Sequence, residues 1–142
     1  MTIIKEKYQN EIVAKLNTDL KNENVMQIPK ILKETINVGL SSKRDPKFIE
    51  TMVDTLTKIS GQKPVVTKAR KAIAGFKIRE GQPLGAMVTL HGDRMWDFVD
   101  KLTHITFPRI RDFRGIKRSS VDQAGNFSYG FTEHIAFPEV EA

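Results

Sequence analysis

Cysteine is absent from the 142 residues. That excludes disulfides, thiolate metal sites and a cysteine nucleophile, and it fits a reducing cytoplasm. No stretch approaches the roughly 18 consecutive apolar residues that a membrane-spanning helix requires, so no membrane partner is expected. The N-terminus, MTIIKEKYQNEI, is charged from Lys5 onward and has neither an apolar h-region nor a small-residue cleavage site, so no secretory signal is expected. No internal repeat, low-complexity tract or linker breaks the chain, and its length suits one domain over 1–142.

Catalytic groupings are also scarce. His91, His104 and His134 form no H-x-x-x-H or H-E-x-x-H motif. Glu133 adjoins His134, but strand neighbours point to opposite faces. Gly75, Gly81 and Gly85 do not fit G-x-G-x-x-G, and there is no G-x-x-x-x-G-K-[ST] phosphate loop. Asp45, Asp93 and Asp97 read as helix caps and helix surface. The expectation is no enzyme, no cofactor and no metal.

Positive charge is abundant and unevenly placed. The net charge is +6, with 23 basic and 17 acidic residues. Lys63, Lys68, Arg70, Lys71, Lys77 and Arg79 crowd one segment that contains no acid. Arg109, Arg111, Arg114, Lys117 and Arg118 crowd a second, with only Asp112 among them. These two segments hold 11 of the 23 basic residues; the remainder, with 12 basic and 16 acidic residues, is slightly acidic. Like charges this close repel unless something neutralises them, and phosphates would. Phe76 interrupts the first cluster between Gly75 and Lys77. It suits stacking on an unpaired base, or anchoring the loop to the core. Arginine forks in the second segment suit phosphate or an acidic protein patch.

Periodicity gives the elements. Ile4, Tyr8, Ile12, Leu16 and Leu20, with Val13 beside them, predict a helix over 3–20. Residues 30–40 alternate, with Leu32, Ile36, Val38 and Leu40 inward and Lys33, Thr35 and Asn37 outward. Asp45 as N-cap, Pro46 at the first position and Gly61 past the end bracket a helix over 46–60 with a stripe of Ile49, Met52, Val53, Leu56 and Ile59. A short strand over 64–67 follows. Leu84, Ala86, Val88 and Leu90 alternate with Gly85, Met87, Thr89 and His91 as another strand. Asp93 reads as the cap of a helix over 93–105, with Met95, Phe98, Val99, Leu102 and Ile105 buried and Pro108 as its stop. Gly125-Asn126 reads as a turn, and 128–137 as a strand with Tyr129, Phe131, Ile135 and Phe137 on one face. The fold class is α+β: an antiparallel sheet with helices on one face and an open polar face of Thr35, Asn37, Met87, Thr89 and His91.

The runs ISGQKPVVTKARKAIAGFKIREGQPLGAMVTLHGDRMWDFVDKL, FPRIRDFRG and GNFSYGFTEHIAFPE closely resemble the bacterial type of the universal large-subunit ribosomal protein five family, the carriers of 5S ribosomal RNA. The likeness covers essentially the whole chain. It implies a structural constituent of the large ribosomal subunit, in the cytoplasm, binding 5S rRNA in the central protuberance beside large-subunit rRNA and other central-protuberance proteins. The positions matching the family's 5S contacts are Asn37, Gln62, Phe76 and Thr89, with Lys63 next to Gln62. The loop matching 69–78 would reach toward P-site tRNA, placing Lys68, Arg70, Lys71, Gly75, Lys77 and Arg79 against phosphates. The region matching Arg109, Arg111, Arg114, Lys117 and Arg118 would bridge to a small-subunit head protein or contact RNA. By that resemblance the chain is expected to be short at its C-terminus, without the family's usual last strand and helix. Charge alone leaves two rivals: a non-specific RNA- or DNA-binding module, and an enzyme on a phosphorylated substrate that lacks a paired base.

Overall fold

The computed structural model describes residues 2–21, 24–40 and 46–140. The first helix, α1, spans 3–20, with a π turn at Tyr8–Ile12 between α-helical Ile3–Lys7 and Val13–Leu20. An apolar stripe spaced by four drifts around a 3.6-residue helix, and a wider i→i+5 turn restores its alignment. Ile4, Tyr8, Ile12, Val13 and Leu16 are accordingly half-buried, whereas Leu20 is exposed.

Three strands follow: β1 Glu34–Gly39, β2 Val65–Lys68 and β3 Pro83–Leu90. β3 lies in the centre and pairs antiparallel with both neighbours, in the order β1-β3-β2. β1 and β2 therefore run the same way on either side of β3. The crossover between them is α2, Pro46–Ser60, with the bounds its sequence predicts. Gly61 follows at φ +67, the left-handed conformation that ends helices. The expected cap, Asp45, lies outside the described residues.

The last long helix, α3, spans 92–109: α-helical Gly92–Lys101, a π turn Leu102–Thr106, and a final turn Phe107–Arg109. Three expectations fail here. His91, not Asp93, is the N-cap residue; Asp93 sits in the first turn and takes a 2.5 Å hydrogen bond from Lys5 on α1. That bond holds the Asp93 carboxyl below its ordinary range. Pro108 does not stop the helix before it, and Ile105 is exposed. The π turn rotates the buried face so that Thr106 and Phe107 turn inward instead.

The core lies between the sheet and the helices: Ile59, Val88, Leu90, Met95, Phe98, Leu102, Phe107 and Phe137. α1 joins α3 through Tyr8, whose ring packs 5.3 Å from that of Trp96. The expected strand over 128–137 does not form. Among the described residues this segment has no ladder partner. It crosses the core as irregular chain with a 3₁₀ turn at His134–Ala136, held by its rings. Tyr129, Phe131 and Phe137 pack on one another and on Phe107 and Phe98 at centroid distances of 4.8–6.2 Å. The alternation of aromatics was real, but it marks ring packing rather than a sheet. Ile135 is exposed.

β1 is shorter than the alternation implies, and Leu32 lies outside it, exposed. The same parity puts Glu34, opposite Leu90, on the core side. Its Oε2 is buried without a hydrogen-bond partner among the described residues. Burial pushes its carboxyl from 4.5 up to about 7.

The folded chain thus keeps a proton at Glu34 that the unfolded chain releases above pH 4.5. The stability it contributes is full below pH 4.5 and is lost as pH rises through about 7. Denaturant titrations of the chain and of Glu34→Gln across that interval will show a falling stability in the first and a flatter profile in the second. A second prediction concerns Gly85 on β3. A Cβ there would lie 2.7 Å from Val38 O and 2.9 Å from Thr67 Oγ1. Gly85→Ala should cost about 1–3 kcal/mol in urea denaturation, because the clash is with backbone on a paired strand.

Candidate nucleic-acid interface

Register fixes which side chains leave the sheet away from the helices. Ala86, Val88 and Leu90 are buried, so Gly85, Met87 and Thr89 face outward. Cross-strand pairing sets Thr35 beside Thr89, and Asn37 beside Met87, with Val65 on Met87's other side. Thr35 and Asn37 are exposed and Thr89 half-exposed. Val65 is exposed on this face, giving it an apolar pair with Met87 at its centre. The sequence placed Met87 there but not Val65, whose strand is too short to show its parity. His91 is exposed but lies beyond the strand, as the N-cap residue of α3.

Gln62 joins this surface from the turn after α2. Its side-chain Nε2 donates to Thr89 O at 3.2 Å, and its Oε1 accepts from Arg94 Nη1 at 3.3 Å. Its backbone N–H donates to Ser60 Oγ. Lys63 follows, exposed. Asn37, Gln62 and Thr89 are thus brought together, and Arg94 with them. Sequence reading missed Arg94, because an arginine in a first helical turn carries no periodic signal.

Phe76 stands elsewhere, at the tip of the β2–β3 connection. That connection is itself a hairpin. Ala69 N donates to Gln82 O at 2.8 Å, Gly81 N donates to Ala69 O at 3.0 Å, and Ile73 bridges Ile78. A 3₁₀ turn at Ala74–Phe76 and a left-handed Lys77, φ 55, close the tip. Phe76 is 70% exposed, so the core-anchor reading does not hold; the half-buried residue of the tip is Ile78. A side chain added at Gly75 would meet nothing within 4 Å. Lys68, Arg70, Lys71, Lys77 and Arg79 are all exposed along the hairpin. A shallow recess of about 490 Å³ opens between Lys77, Arg79, Glu80, Gly81 and Gln82.

The second cationic segment is pinned from within. Ile110 is half-buried, and the Phe113 ring stacks on Phe107 with centroids 5.2 Å apart. Around these anchors, Arg109, Arg111, Arg114, Lys117 and Arg118 are exposed. The Asp122 carboxylate closes the following turn on Asn126 and is held below its ordinary range by that bond. The one histidine with an acidic partner among the described residues is His104, 2.9 Å from Asp100 one helical turn away on an exposed face. That is a surface pair rather than a catalytic one.

The exposed cations and the open polar sheet face suit a polyanionic partner. Residues 24–79 match the family Ribosomal protein L5, and residues 83–142 match the C-terminal part of the same ribosomal family. The chain belongs to the ribosomal protein L5 family. It is 49% identical to large ribosomal subunit protein uL5 of Halothermothrix orenii over an aligned length of 142, covering 99% of this chain and 79% of that protein. The protein of the same name from Francisella tularensis subsp. novicida is 52% identical with the same coverage. That of Chloroflexus aurantiacus is 50% identical over an aligned length of 143, covering 99% of this chain and 79% of the relative. These relatives are ribosomal proteins, not enzymes, so the phosphorylated-substrate enzyme drops out.

Proposed function

We propose that this chain binds 5S rRNA in the central protuberance of the large ribosomal subunit, reading it with the open sheet face. The observation that carries this is the joining of Asn37, Thr89 and Gln62 on one rigid surface beside the exposed Val65–Met87 pair. Amide and hydroxyl groups can match base and ribose edges, and an apolar patch between them suits the face of an unpaired base. Lys63 supplies a phosphate contact at the edge. Phe76 stacks on a second, unpaired base from the hairpin tip.

The hairpin supplies the less selective part. Lys68, Arg70, Lys71, Lys77 and Arg79 release counterions on binding phosphate, and the tip reaches P-site tRNA. Gly75 fits close approach of a backbone, since the free fold leaves its Cβ space empty. Arg109, Arg111, Arg114, Lys117 and Arg118 meet either rRNA or an acidic patch on a small-subunit head protein. Their anchoring by Ile110 and Phe113 supports a fixed contact surface rather than a loose tail. Large-subunit rRNA and neighbouring central-protuberance proteins complete the surroundings. The rival reading, a non-specific RNA- or DNA-binding module, uses the charge and ignores the sheet face.

A titration against 5S rRNA and a size-matched scrambled RNA at two salt concentrations separates them. 5S rRNA should win by orders of magnitude and keep its preference at high salt. Equal binding, collapsing with salt, would leave only the non-specific module. Asn37→Ala should weaken 5S binding about tenfold while barely changing the scrambled RNA. Lys77→Ala should weaken both alike and reduce the salt slope by about one.

A further inference from the structure

We infer that Arg94 is a positioning residue for RNA recognition, fixing the side-chain amide of Gln62 in one orientation and so setting which hydrogen bonds Gln62 offers an RNA. The inference rests on the proposed reading of the sheet face. Arg94 is exposed in the first turn of α3, and the sequence gives it no role.

A glutamine amide has two faces of opposite character, and a free one turns to suit any partner. Gln62 is caught between two groups that admit no choice. Arginine can only donate, so the atom facing Arg94 Nη1 at 3.3 Å is the oxygen. A backbone carbonyl can only accept, so the atom facing Thr89 O at 3.2 Å is the nitrogen. A flipped amide would set oxygen against oxygen and nitrogen against a guanidinium. The orientation is thus dictated by chemistry.

The position matters as much as the polarity. The last β2–β3 pair is Val65 with Met87, two residues short of Thr89. Past that point Gln62 serves the Thr89 carbonyl from its side chain, standing where β2 no longer pairs with β3. Its backbone is held in turn by Ser60 Oγ, which also lies 2.6 Å from Leu56 O at the end of α2. One amide N–H and one oxygen lone pair of Gln62 remain beyond these two side-chain bonds. They form a fixed donor–acceptor pair next to Thr89. Such a pair is complementary to a base edge presenting an acceptor and a donor side by side, and it discriminates against the reverse order. Without Arg94 the amide keeps one tether and can rotate, so the preference for one order weakens.

A phosphate contact by Arg94 would predict something different, and the two are separable. Arg94→Ala, Gln62→Ala and the double variant are titrated against 5S rRNA and scrambled RNA at several salt concentrations. Arg94→Ala should lose about fivefold of the 5S preference with the salt slope unchanged. In the Gln62→Ala background it should cost nothing further. In the free protein, the side-chain amide proton resonances of Gln62, followed by NMR, should shift on Arg94→Ala while those of other side-chain amides stay in place. Additive losses, a salt slope reduced by about one, or unmoved Gln62 resonances would each overturn the positioning role. If the unaltered chain shows no preference for 5S rRNA, the sheet-face reading fails first and takes this inference with it. If that preference stands and only the double-variant and NMR results fail, the error lies in Arg94 alone.

Discussion

The pleat of β3 commits each of its residues to one of two surfaces, and the rest of the molecule is arranged around that commitment. Ala86, Val88 and Leu90 are buried almost completely against helices and rings. Burying those side chains stabilises the fold by roughly 25 cal/mol per Å² of apolar surface removed from water. The same burial turns Gly85, Met87 and Thr89 outward, because side chains alternate strictly along a strand. A slip of one residue would bury Thr89 and expose Leu90. The face offered to a partner is therefore held in register by the core behind it. β3 is flanked on both sides, so this face is a continuous surface of three strands. Gly85 lets the three approach closely at one end, and Gln62 extends the contacts at the other.

The charges follow a different logic. The exposed cations of the hairpin and of 109–118 repel one another. Each segment is instead fixed by its few apolar residues. Ile73 and Ile78 close the hairpin near its tip, and Ile110 and Phe113 hold the second segment to Phe107. Backbone bonds and ring contacts thus oppose the electrostatic cost in the free protein, and a polyanion relieves it on binding. This accounts for a chain that concentrates positive charge in two segments while the remainder is slightly acidic.

How far the sequence disclosed this depended on whether the signal was local. α2 was legible to the residue because Pro46 and Gly61 mark its ends chemically. The alternation in β3 was legible because a central strand buries every second side chain without exception among Ala86, Val88 and Leu90. Signals that need a partner were misread. Residues 128–137 alternate as a strand would, yet the rings pack on one another and no ladder forms among the described residues. The inward turn at Thr106 depends on a π turn that no single residue announces. Glu34 falls on the apolar side of β1, where parity says a carboxylate should not be, and the protein answers by keeping it protonated to about pH 7. The Arg94–Gln62–Thr89 chain joins three elements and was invisible to any reading of one segment.

In the proposed reading, selectivity and affinity are built on different parts. The groups able to discriminate, Asn37, Thr89 and Gln62, stand on paired strands or are bonded to them, so little freedom is lost when they meet a partner. The groups that attract any polyanion, the lysines and arginines of the two connections, are long side chains exposed to solvent, and binding must order them. In that reading salt weakens the second set and leaves the first largely intact, because amide and hydroxyl groups carry no net charge to screen. A protein that must find one RNA among many gains from this division. In the proposed reading, the charges bring it to any phosphate chain quickly and reversibly, and the sheet face decides whether it stays. The division also explains why the discriminating groups are few and uncharged. A cation on the outward side of β3 itself would raise affinity for every RNA equally and dilute the preference that the proposed reading assigns to that strand.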